Sequence, residues 1–277
     1  MVFFKVGGRN FMKTDKSGKL IITIFKQLLF VQILAVAVAI LGSVIDGIVI
    51  SNFLGREAMA AFSIATPAFV ILACIANVIA YGVQTVCAKA LGRGEVKRIN
   101  GVFTLTMITL LILGVILSLV FYFLSEPIAS LLGATEENLP LVADYVKGLS
   151  FGAIAILLNG ALVRFLQLDQ AALFSFVSVL VMTVVNITGD ILDVKVFNGG
   201  MFGMALATSI SYFAAVIFCL LHFFRRKSSI KLDFKSVRAK DLGPIISYGF
   251  PSAIGQACNG VNTLIINNFL LTIGGTL

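Results

Sequence analysis

The chain has 277 residues, 59% of them hydrophobic and 12% charged, with a formal net charge of +8. A mean hydropathy of +1.04 is far above that of a water-soluble domain, so the expected class is an all-α membrane protein solvated by lipid. The positive charge does not indicate nucleic acid as a partner: the basic residues sit between apolar stretches, without interleaved aromatics in a soluble domain.

Residues 1–24 form a basic amino-terminal segment. A spanning helix needs about 20 mostly apolar residues, and six such stretches follow: Phe25–Ser51, Ala58–Val86, Val102–Leu124, Val146–Leu166, Ala171–Phe197 and Phe202–Phe224. They make up a six-span lobe over 25–224, followed by a basic loop at 225–243 and a seventh helix within 244–277, from Pro244 to about Ile273. The first stretch is too long for a signal-peptide core, and no small-residue cleavage site follows Ser51, so it is expected to stay in the mature protein.

All of the 21 basic residues except Arg56, Lys147 and Lys195 fall on one side of these spans. The positive-inside rule then puts the amino terminus in the cytoplasm and the chain in a cell (inner) membrane as a multi-pass protein. Seven spans in this orientation do not match a rhodopsin-type receptor, whose amino terminus is outside. Cys74, Cys87, Cys219 and Cys258 have no metal-ligand spacing and read as small buried hydrophobes. Gly148 and Gly152 make a small-xxx-small pair for close helix approach. Ile48–Leu54 in the first span echoes Leu264–Leu270 in the seventh, with Asp46 opposite Asn262, either by chance or as the start of a parallel six-helix repeat.

Ionisable groups inside a span cost about 2.5–3.5 kcal/mol at the helix centre, which marks them as functional candidates. Asp46 lies roughly 8 Å inside the outer end of its span, and Asp190 and Thr208 roughly 10 Å inside theirs, at 1.5 Å per residue. Asn186 precedes Asp190 by one helical turn on the same face. Asp46, Asn186, Asp190 and Thr208 are thus expected to converge in the outer half of the bundle. Two neighbouring carboxylates in a low-dielectric interior resist ionising together, which suits a proton carrier. The same carboxylate, amide and hydroxyl oxygens suit a hard cation such as sodium. Asp193, nearer the outer interface, reads as a helix-end charge. Gln32, Asn77, Gln84 and Asn159 either line a cavity and substrate path or serve helix packing. His222 lies at the opposite end of the bundle from both acids, so no catalytic triad is expected and the chain is not read as an enzyme.

Several of these segments resemble the multidrug and toxic compound extrusion (MATE) family. They are Val44-Ile45-Asp46-Gly47, Asn52-Phe53-Leu54-Gly55, Ala60-Ala61-Phe62-Ser63 with Pro67, and Leu91-Gly92-Arg93-Gly94-Glu95. The most specific is Asn186-Ile187-Thr188-Gly189-Asp190 through Gly203-Met204-Ala205-Leu206-Ala207-Thr208. The resemblance implies a twelve-helix antiporter of two six-helix lobes, exporting organic cations or drugs in exchange for protons or sodium, with no other cofactor. It also implies that Asp46, Asn186, Asp190 and Thr208 contribute to a cation site in the amino-terminal lobe. The chain departs from that pattern in three places. It stops where the second lobe, needed for transport, should begin; Phe30-Val31-Gln32-Ile33 lacks a proline that several members have early in the first helix; and Gly189 stands where a larger apolar residue is common, which predicts a looser helix beside Asp190.

The expectation is therefore half of a twelve-helix cation-coupled exporter working by alternating access. A flippase for lipid-linked saccharides would instead need a cavity rich in arginine or lysine. A third reading is a non-transporting membrane protein that regulates or assembles with a partner.

Overall fold

The computed structural model describes residues 14–224 and 228–255, together with residue 258. Lys5, Arg9, Lys13, Arg225, Arg226, Lys227 and the second copy of the echo, including Asn262, lie outside the described residues. Among the described residues the long elements are α1 (Thr14–Val49), α2 (Gly55–Gly92), α3 (Val96–Phe123), α4 (Ser125–Leu131), α5 (Leu139–Leu168), α6 (Ala172–Leu192) and α7 (Gly200–Phe223). A further helix, α8, occupies 242–255.

Five helical runs are long and apolar enough to cross a membrane, and the first, Leu29–Gly92, has 64 residues. Straight, it would measure roughly 96 Å, about three times the hydrocarbon thickness. It is two passes. A π-helical turn at Ile50–Leu54 leads into Gly55, whose φ of 90° turns the chain back in a conformation that a side chain disfavours. Val49 and Ile50 consequently share a core with Ala58 and Ala61. A methyl on Gly47 would lie 3.8 Å from Cε of Met59, although residues so spaced on a straight helix are about 18 Å apart. The six predicted spans therefore correspond to α1, α2, α3, α5, α6 and α7, and α8 begins where the seventh was expected. The short α4 falls in a stretch expected to be loop.

α5 forms the axis, packing against α2, α3, α6 and α7. Gly148 and Gly152 fulfil the small-xxx-small expectation: a methyl on Gly148 would sit 2.5 Å from Cβ of Ala205, and one on Gly152 would sit 2.5 Å from Oγ of Ser209. Ser209 Oγ uses this close approach to donate to the Gly148 carbonyl at 2.8 Å. One apolar cluster, around Ile50, Leu72, Leu149 and Met204, fills the half of the lobe that holds the α1–α2 turn. A second, around Val83, Phe103, Phe165 and Ile245, fills the basic half.

Two sequence expectations need correction. Cys87 and Cys219 are buried, but Cys74 is half-buried and Cys258 exposed. Gly189 does not loosen its helix: α6 is continuous across it, and a methyl there would lie 2.8 Å from Cβ of Ala207. The missing side chain lets α6 approach α7.

Candidate functional site

Asp46 stands four residues before one π-helical turn, at Ile50–Leu54, and Asp190 three residues before another, at Asp193–Phe197. Such turns widen the helix by one residue and recur at functional sites. Here α1 and α6 pack side by side, with Gly42 of α1 close to Thr183 of α6. This alignment brings the carboxyl groups of Asp46 and Asp190 within hydrogen-bonding reach of each other. Asp190 is only 1% exposed, and neither of its carboxylate oxygens has a donor among the described residues. Oδ1 of Asp46 is likewise buried without a donor. Carboxylates so placed are costly unless they hold a proton or a cation.

Asn186, one turn before Asp190 and also buried, donates from Nδ2 to Oγ1 of Thr208 on α7 at 3.4 Å. The Thr208 hydroxyl in turn reaches the Met204 carbonyl at 3.2 Å. The amide donor thus faces α7, while Asn186 Oδ1 remains an acceptor. The four sequence-predicted residues form two pairs, Asp46 with Asp190 and Asn186 with Thr208, joined through a single face of α6. Tyr145 and Tyr212 are aromatic neighbours that the sequence did not single out; both lie within electrostatic reach of Asp46. Tyr145 is held edge-on by Phe62, with ring centroids 5.4 Å apart. A Phe or Tyr in an apolar span carries no distinguishing signal.

Asp193 belongs to a different arrangement. It is 5% exposed, and its Oδ1 accepts from the Gly199 amide at 3.1 Å, at the start of α7. Its carboxylate occupies the space a Gly203 side chain would need. It ties the carboxy-terminal end of α6 to the beginning of α7, as a helix-end charge favourable to the α7 dipole.

The four polar residues expected along a cavity do not form one cluster. Gln32 is exposed and accepts from Gln167 at 3.5 Å, toward the basic end. There Arg164 lies over the Tyr81 ring at 4.3 Å and donates to Gln167 at 3.2 Å. Asn77 and Gln84 are half-buried on α2. Asn159 keeps a buried Oδ1 without a donor among the described residues.

His222 does meet an acid and a serine, in an order that excludes nucleophile activation. Its Nε2 donates to Asp169 Oδ2 at 2.8 Å, and Ser228 Oγ donates to the same oxygen at 2.9 Å. A triad needs the imidazole between serine and carboxylate; here the carboxylate stands between the other two.

The MatE family model matches residues 32–192, more than half of the 277-residue chain. The chain belongs to the MatE family. Among relatives of this MatE chain, the multidrug export protein MepA of Staphylococcus saprophyticus is 31% identical over 238 residues, covering 84% of this chain and 53% of that protein. MepA of Staphylococcus aureus is 28% identical over 257 residues, covering 91% and 57%. The chain spans about half the length of the curated relatives it matches.

Solved structures agree in fold. A multidrug resistance MATE family transporter of the MOP superfamily, in an inward-facing conformation, superposes with a TM-score of 0.76 at 24% identity, over 85% of this chain and 54% of that one. A MOP superfamily transporter from Pyrococcus furiosus, described as having a binding pocket of reversed polarity that suggests a different function, gives 0.80 at 22% identity, over 90% and 56%. The MatE chain is thus a multi-pass, all-α membrane protein of the multidrug efflux transporter family, with the architecture of half of a twelve-helix member.

Proposed function

We propose that this MatE chain supplies the amino-terminal lobe, residues 25–224, of a cation-coupled exporter, with the loop at 225–243 leading to the first helix of a second lobe in 244–277. Protons or sodium ions exchange for organic cations or drugs by alternating access. Asp46, Asn186, Asp190 and Thr208 take up the coupling cation. The observation that carries this reading is the contact between Asp46 and Asp190, whose buried oxygens have no donor among the described residues.

The role follows from electrostatics. Without a bound cation the pair places two carboxylates together in an apolar interior, so a proton or sodium ion entering from the outer side is strongly favoured. Binding there relieves the repulsion between the two carboxylates on α1 and α6, and release to the cytoplasm restores it. The difference between the two states is the free energy available to bias the lobe between conformations. Asn186 and Thr208 transmit that change to α7 through their hydrogen bond. The amino terminus is cytoplasmic and the membrane is the cell (inner) membrane, a reading supported by the one-sided distribution of basic residues.

The test is efflux of a fluorescent organic cation by the complete two-lobed protein in proteoliposomes with an imposed proton or sodium gradient. Asp46→Asn and Asp190→Asn should each abolish gradient-driven efflux with the protein still folded. Efflux unchanged in both variants would remove the site assignment.

A further inference from the structure

The loop after α7 does not hang free in water. It runs along α3. The Lys231 amide donates to Oδ1 of Asn100 at 3.0 Å, and the Asp233 amide donates to Oγ1 of Thr104 at 2.8 Å. The Ser236 carbonyl occupies the space that a Gly101 side chain would fill. Farther along, Arg98 holds Asp241 at 2.9 Å. Ile230 and Thr104 are thereby buried.

The depth of this strap is set by α3. Its 28 residues measure about 42 Å, the thickness of a bilayer with its headgroups. Counted back from the apolar end at Phe123, the hydrocarbon core of about 30 Å takes up roughly 20 residues at 1.5 Å each and ends at Thr104, which so stands at the boundary between headgroups and acyl chains. The side of α3 that the strap covers is also its lipid side. Gly101 and Thr104 share a helical face with Ile108, Leu111, Ile112 and Val115, which are 38%, 48%, 59% and 44% exposed.

From the strap's outer surface Leu232 and Phe234 project, 54% and 68% exposed. They alternate with Lys231, Asp233 and Lys235, and both lysines are exposed. Asp233 is turned inward to the strap, where it accepts from the Lys235 amide at 3.0 Å and the Ser236 hydroxyl at 2.6 Å. Apolar side chains at the acyl boundary flanked by lysines at headgroup level form the pattern of an interfacial anchor.

The geometry points to residues 230–236 as a membrane-interface anchor, with Leu232 and Phe234 inserted at the acyl boundary and Lys231 and Lys235 on the phosphates of anionic lipids. The strap is pinned to α3 on the same face that continues as the lipid-facing stripe, so its occupant is lipid. The inference needs only the lobe's membrane insertion and is independent of the coupling-site assignment.

The chain contains no tryptophan, so Phe234→Trp gives a single fluorophore. In nanodiscs of anionic and zwitterionic lipid, its emission should be quenched by lipids brominated near the headgroup end of the acyl chain more than by lipids brominated near the tail. Aqueous iodide should have little effect. Leu232→Trp provides a second reporter if the first variant folds poorly, and Val115→Trp should be quenched best by tail-brominated lipid. Replacing Lys231 and Lys235 with Gln should lower the preference for anionic brominated lipid by roughly fivefold per lysine. Quenching of the Phe234→Trp fluorophore by iodide without quenching by brominated lipid would overturn the anchor. So would shielding from both, which would put a second lobe or another protein over the strap.

Discussion

Asp169, a half-buried residue whose side chain is 5% exposed, and the buried Asp190 lie near opposite ends of the lobe and differ in what surrounds them. Around Asp169 three donors converge: His222 Nε2 at 2.8 Å, Ser228 Oγ at 2.9 Å and the Ser229 amide at 3.1 Å. Asp190 faces the Asp46 carboxyl, with Asp193 and Tyr145 in electrostatic reach, and has no donor among the described residues. Burial alone therefore does not mark a functional acid. A buried carboxylate whose acceptors are filled by the protein is a structural tie, here between α5, α7 and the strap. One whose acceptors are left open is suited to bind something that comes and goes.

The largest effect should come from exchanging those roles. Asp169→Ala leaves His222 Nε2 and the Ser229 amide without their acceptor, at about 1–3 kcal/mol for each donor left unsatisfied, while Ser228 Oγ keeps the Ile230 carbonyl; the thermal midpoint of the chain in detergent should fall. Asp190→Asn should leave the midpoint unchanged or raise it, since it removes a buried charge without a donor. A large loss of stability in Asp190→Asn and none in Asp169→Ala would reverse the comparison.

A smaller effect is expected at the close helix approaches. Gly148→Ala pushes a methyl toward Cβ of Ala205 and the Phe202 carbonyl, at 2.5 and 2.6 Å, an overpacking that costs about 1–3 kcal/mol. Reduced thermal stability with coupling intact would confirm that the α5–α7 contact is scaffold. Comparable in size is Thr104→Val, which strands the Asp233 amide at about 1–3 kcal/mol. Hydrogen exchange of that amide should then speed up while the interior of α5 stays protected.

The smallest effect is on pH dependence. The Ser236 hydroxyl, with the Lys235 and Ser236 amides and the Lys235 charge, holds the Asp233 carboxyl below its ordinary 3.8. A lowered folded value gives stability that is present above the unfolded value and lost as pH falls through the folded one. The strap should thus hold from neutral pH down through the ordinary carboxylate range and loosen only below it, read from the tryptophan emission of the Phe234→Trp variant. Adding Ser236→Ala to that variant should move the transition toward higher pH.

Much of this was legible in the sequence. The six apolar stretches, the four residues Asp46, Asn186, Asp190 and Thr208, and the Gly148–Gly152 contact follow from helical rise and from the cost of polar groups in lipid, both local rules. The π-helical turns before which Asp46 and Asp190 stand were not legible, because one extra residue per turn leaves no mark in hydropathy. Asp169 reads in the sequence only as a residue between spans. Its burial depends on Ser228, which arrives from beyond α7.

Chain composition and spacing determined a helical lobe in lipid with two acids at one depth, because each span must satisfy its own backbone and each intramembrane charge is expensive wherever it sits. Only the tertiary structure decided which acids have donors and which do not. That distinction depends on side chains far apart in the chain: Asp190 beside Asp46, Asp169 beside His222 and Ser228, and Thr104 beneath the strap. Hydrogen-bond satisfaction is a property of the packed neighbourhood, and no local pattern encodes it.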